Sequence, residues 1–111
     1  MLIIASITTL IFFGCNSNSI ENIKVYKQVK IDKPTWMAEN LKKEEFLNGD
    51  PILECKTRED WKRAGENKQA AWCYCYYDTI NSDYGKLYNF YAVKNPRGLA
   101  PKGWQIATLE E

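Results

Sequence analysis

Residues 84–111, YGKLYNFYAVKNPRGLAPKGWQIATLEE, carry the densest aromatic cluster in the chain and its Pro/Gly-rich connection. Over 86–93 two periodicities compete. Leu87, Phe90, Tyr91 and Lys94 fall on one helical face, while Leu87, Asn89, Tyr91 and Val93 alternate as in a strand. Asn95-Pro96 and the following Gly98 read as a helix stop, which tips 86–93 towards helix. Residues 95–103 form a loop, and 104–107 (WQIA) a short strand. Thr108-Leu109-Glu110-Glu111 fits the S/T-x-x-E capping box, where a hydroxyl and a carboxylate satisfy orphan backbone donors at a helix start. The chain stops at the third helical residue, which implies an incomplete domain.

Working outwards, residues 70–77 (AAWCYCYY) predict a central aromatic strand, and 78–85 (DTINSDYG) a loop with turn chemistry. Asp78, Asn81 and Asp83 hint at a calcium loop, but the Gly and Glu of the EF-hand pattern are missing. Residues 57–66 (TREDWKRAGE) predict a short helix capped by Thr57, with Asp60 three residues on and Gly65 as the stop. Asn48-Gly49 predicts a turn, with a hairpin between 42–47 and 52–55. Residues 35–41 read as a second short strand. Residues 23–31 (IKVYKQVKI) alternate, with Ile23, Val25, Val29 and Ile31 on the face expected to be buried. Short strands and short helices together give an α+β class with a small mixed sheet.

Composition narrows function. Fifteen basic and fourteen acidic residues leave a net charge of +1, with no concentrated basic face, so nucleic acid is not an expected partner. There is no histidine, which excludes histidine-dependent triads and His-containing zinc sites within these residues. The apolar content of 45% suffices for one modest core. No cofactor or metal is implied.

The N-terminus reads as an address. Residues 1–13, MLIIASITTLIFF, are uncharged, too short to span a bilayer and of the right length for a signal-peptide core. Gly14-Cys15 follows, resembling the lipobox of bacterial lipoproteins, although no basic residue follows Met1 and Phe12 stands where Leu is usual. The expected division is a signal peptide over 1–14, a lipidated polar tether over 15–22 and a folded part over 23–111. The alternative is a buried apolar strand or helix ending in a core cysteine. Lipidation at Cys15 would anchor the protein to a membrane without spanning it. The expected location is the bacterial cell envelope, on the outer membrane.

Cys55, Cys73 and Cys75 remain. Exported thiols tend to pair, and three is odd. Cys73 and Cys75, two apart on an extended strand, suit a mutual disulfide poorly. A bridge from Cys55 to either of them and a role as small buried apolar residues both stay open.

Four stretches carry a family resemblance: Thr35–Leu41 (TWMAENL), Trp72–Asp78 (WCYCYYD), Tyr84–Val93 (YGKLYNFYAV) and Leu99–Ile106 (LAPKGWQI). In this order they resemble the FISUMP domain, the Fibrobacter succinogenes major paralogous domain, common in lipoproteins and secreted proteins of Bacteroidetes and Fibrobacteres. The resemblance covers about residues 22–111. It implies more chain beyond Glu111, and Ala107 replaces the usual Pro before the capping Thr. It also implies likeness to the N-terminal half of C-type-lectin-like and formylglycine-generating-enzyme-like folds. Fold likeness leaves function open.

Three functions follow as expectations. The first is a non-enzymatic envelope module that binds an extracellular glycan or protein. Trp36, Trp72, Tyr76 and Tyr77 are its candidates for stacking on a ligand, and the plainer role for each is a core aromatic. The second is a formylglycine-generating-like enzyme whose active half is missing, with Cys73 and Cys75 as the only candidates here. The third is a nonfunctional fragment of a longer gene.

Overall fold

The computed structural model describes residues 4–6 and 25–108. Cys15, the rest of the expected leader and tether, and the last three residues of the capping box lie outside them.

Thr57 begins the helix as its sequence requires. Its hydroxyl accepts the Asp60 N–H at 3.1 Å, and α1 runs Arg58–Glu66. Gly65 does not end it. The C-cap is Asn67, and Lys68 takes the left-handed conformation (φ 54°). Its N–H donates to the Gly65 carbonyl and that of Gln69 to the Ala64 carbonyl, which satisfies carbonyls the helix end leaves open.

The strands form two sheets, and α1 packs on the Ala71–Tyr74 strand of the second. In the first, β1 (Ile4–Ser6), β2 (Gln28–Lys30), β3 (Thr35–Met37) and β7 (Trp104–Ile106) are ordered β2-β3-β1-β7, antiparallel throughout. Ala5 stands between Trp36 on one side and Gln105 on the other. Three residues of the expected leader therefore occupy the middle of the sheet. The second sheet is mixed: β4 (Leu53–Glu54) runs parallel to β5 (Ala71–Tyr74), and β6 (Lys86–Tyr88) antiparallel to it. A small α+β architecture with two sheets and short helices is thus the fold.

Several local expectations change. No two-stranded hairpin joins 42–47 to 52–55. The Asn-Gly turn forms, with Phe46 N–H on the Asp50 carbonyl, but its ladder is a single Glu45–Pro51 bridge. Pro51 lacks a donor, and Leu53–Glu54 pair with β5 instead. Residues 86–93 satisfy both periodicities in turn: strand to Tyr88, then α2 (Phe90–Val93). Asn89 is the pivot, capping α2 by accepting the Ala92 N–H at 2.9 Å. Over 25–31 the face expected to be buried is exposed, and so is all of β2. Tyr26 is buried edge-to-face on Trp104, whereas Val25, Val29 and Ile31 are exposed. One large ring beside an indole removes more apolar area from water than a valine does.

The main core joins Leu41, Phe46, Ile52, Trp72, Ala92 and Leu99, with Met37, Tyr88, Trp104 and Ile106 packed on it. The 95–103 loop closes over its end. Gly98 (φ 82°) lies so near Leu47 that a Cβ there would come 2.8 Å from its Cδ1. Arg97 bonds Asp50 at 2.9 Å and lies over the Phe46 ring.

The Arg97 guanidinium, then the Asn48 amide, hold the Asp50 carboxyl below its ordinary value. A depressed carboxylate adds stability above its unfolded pKa and loses it as pH falls through the folded one. Asp50→Asn is expected to flatten the acid limb of the melting temperature below about pH 4. An unchanged limb in a Tm-against-pH series would remove Asp50 from the acid response.

Candidate functional site

The chain leaves β5 through two consecutive tyrosines with positive φ, Tyr76 (56°) and Tyr77 (57°). Bulky residues seldom adopt this conformation, and each costs on the order of 1–3 kcal/mol that surrounding contacts must offset. Such strain concentrates at binding and catalytic loops. Tyr77 folds back onto the second buried cluster of Cys55, Ala64, Ala71 and Cys73, while Tyr76 is turned outwards and is 85% exposed. The strand therefore ends at Tyr74, and Cys75–Tyr77 form a 3-10 turn in place of the longer strand expected over 70–77.

A second 3-10 segment, Thr79–Tyr84, completes the loop. Asp78 caps it, its carboxylate accepting the Ile80 N–H at 3.0 Å. Ile80 (83% exposed) and Tyr84 (70%) join Tyr76 as large apolar side chains on this loop's surface.

The loop base is pinned. Gly85 (φ 78°) lies against Asn40, where a Cβ would come 2.5 Å from the Asn40 Cβ, and Asn40 Nδ2 donates to the Tyr84 carbonyl at 2.7 Å. Beneath it, Lys86 is buried: its Nζ reaches Glu44 at 3.0 Å and lies 4.3 Å from the Trp72 ring centroid. Tyr74 adds a second ring and a hydroxyl 3.5 Å from Nζ. One exposed carboxylate and two π faces thus stand in for the water this ammonium has lost. Burial pushes the Tyr88 phenol well above its ordinary range, so it stays a neutral donor to the Lys43 carbonyl at 2.8 Å.

Of the four aromatics expected as stacking candidates, the structure exposes only Tyr76. Trp36 and Tyr77 are half-buried. Trp72 is committed to the core, its indole N–H donating to the Ile52 carbonyl at 3.1 Å and its edge meeting Tyr74. Sequence reasoning passed over Ile80 and Tyr84. Ile80 carried a signal: an isoleucine inside an otherwise polar turn segment has no local reason to be there.

Cys55 and Cys73 are buried and Cys75 is half-buried. Burial, then the neighbouring Cys55 and Cys75, push the Cys73 thiol up to about 11. A thiol held protonated is a poor nucleophile near neutral pH. Among the described residues no group of three or more carboxylate or thiol side chains is placed to hold a metal. Asp78 and Asp83 stand in the loop read as a possible calcium site, and the Asp78 carboxylate already serves the Ile80 amide.

Segments far apart in sequence meet here. Asn40 and Leu41, Trp72, Tyr84 to Val93, and Leu99 to Ile106 build one core and pin one loop. That convergence defines a small α+β module that presents a shaped loop on a closed core. The chain belongs to the Fibrobacter succinogenes major domain family, whose model matches residues 29–111. No curated protein and no solved structure matches the chain.

Proposed function

We propose that the chain is an exported lipoprotein, anchored through Cys15, whose 76–84 loop binds an extracellular glycan or protein without catalysis. The observation that supports binding is the loop itself: Tyr76, Ile80 and Tyr84 project from a strained backbone pinned by Asn40. Exposed tyrosines offer rigid area and a polar tip, the combination that sugar rings and protein hot spots use. The anchor rests on the apolar run of residues 1–13 and Gly14-Cys15. No helix among the described residues is long and apolar enough to cross a membrane.

The test has two arms. In cells given an alkyne-tagged fatty acid, the wild-type chain is expected to carry label and Cys15→Ser to carry none; equal labelling would sink the anchor. On an array of bacterial and host glycans and surface proteins, Tyr76→Ala/Tyr84→Ala is expected to lose at least about tenfold in affinity for any ligand found, corresponding to two hot-spot side chains. Retained binding by a variant with an unchanged melt would remove the loop from the function.

A further inference from the structure

We infer that Cys55 and Cys73 form a disulfide, leaving Cys75 as the remaining thiol among the described residues. The register carries the argument. In the parallel pair, Leu53 stands beside Ala71 and Glu54 beside Trp72. The Cys55 N–H donates to the Trp72 carbonyl at 2.8 Å, extending the ladder one residue further. Cys55 is therefore set beside Cys73. Neighbouring strands lie about 4.8 Å apart, inside the range of roughly 4.4–6.8 Å between Cα atoms that a disulfide spans. Residues in register on parallel strands point to the same face, and both side chains enter one buried cluster with Ala64 and Ala71. Cys75 has no such neighbour, because the strand ends at Tyr74 and Cys75 opens the 3-10 turn.

The chemistry is a two-electron oxidation. One cysteine thiolate attacks a sulfur of an oxidant disulfide, such as glutathione disulfide or an oxidoreductase of the envelope, and displaces one thiolate. The second cysteine thiolate then attacks the mixed disulfide. The Cys55–Cys73 bond forms, the oxidant leaves as two thiols, and the two cysteine protons pass to them. The exchange takes place before the strands close, while the thiols are solvated and nearer their ordinary pKa. Once folded, the buried bridge is shielded from small reductants. It closes the loop from Cys55 to Cys73, which holds the whole of α1, and so constrains the unfolded chain. The oxidising compartment it needs comes from the export reading above, and the pairing itself comes from the register.

The experiment uses the full chain carrying Cys15→Ser, refolded with glutathione disulfide, alkylated, digested with trypsin and mapped without reduction. The bridge is expected to join the peptide Glu44–Lys56 to Gln69–Lys86, with one alkylated cysteine on the latter. Because Gln69–Lys86 contains both Cys73 and Cys75, the same mapping on Cys75→Ser and Cys73→Ala assigns the partner. The joined pair should survive Cys75→Ser and vanish in Cys73→Ala. Reduction in denaturant should lower the melting temperature by at least about 5 °C. A bridge through Cys75, or two free thiols in refolded Cys75→Ser, overturns the pairing. A bridge formed in the tube but thiols alkylated in intact cells would overturn export and leave the pairing standing.

Discussion

Trp72→Ala is expected to cost the domain about 3–5 kcal/mol, the range for truncating a fully buried large aromatic. Three effects combine at this position. The main core loses its largest buried ring, between Ile52, Leu41 and Ala92. The Ile52 carbonyl loses the indole N–H that satisfies it. Lys86 loses the nearer of its two π faces and stays buried with a single carboxylate. Trp72→Phe separates these effects: it keeps much of the volume and a ring but removes the N–H, and should cost about 1–3 kcal/mol. Thermal and urea melts by circular dichroism decide the matter. A loss below about 1 kcal/mol for Trp72→Ala would mean that this core is not the one that holds the chain together.

Asn89→Ala carries the second large effect, about 2–4 kcal/mol. One amide serves three backbone groups. Its Oδ1 accepts the Ala71 N–H at 3.1 Å and the Ala92 N–H at 2.9 Å, and its Nδ2 donates to the Gln69 carbonyl at 2.7 Å. It therefore ties the entrance of β5 to the start of α2. Asn89→Asp keeps the acceptor for both N–H groups and places a carboxylate oxygen against the Gln69 carbonyl. The expected order of stability is wild type, then aspartate, then alanine. If alanine proved at least as stable as aspartate, the cap would be incidental to the fold.

These two residues show what local sequence conveys. Helix α1 was legible because its signals are local: Thr57, Asp60 and the apolar pair Trp61 and Ala64 all lie within two turns. The 104–107 strand was legible because Pro101 and Gly103 mark off a short apolar run. Residues 86–93 supported two periodicities because both exist there, and Asn89, a favoured N-cap residue, marked the switch. Burial over 25–31 was misjudged because alternation identifies two faces and does not say whether either is covered; β2 is exposed, and only Tyr26 is buried, against Trp104, far away in sequence. Of the site, Tyr76 was named, but its exposure depends on two left-handed residues that no periodicity encodes. Trp72 and Tyr76 look alike in the run WCYCYY, and the turn at Cys75 sends one into the core and the other into solvent.

The antiparallel sheet has a seam. Strands β3 and β7 share no ladder with each other; Ile4–Ser6 lies between them and is hydrogen-bonded to both. The same three residues fall in the segment whose excision would accompany lipidation at Cys15, and a single molecule can use them in only one of these ways. Maturation at Cys15 would thus be a mechanical event as well as a chemical one. It would withdraw the wedge between Trp36 and Gln105, turn the interior strand β3 into an edge and take from β7, an edge already, the strand it is hydrogen-bonded to, with main-chain donors and acceptors left open to an incoming strand.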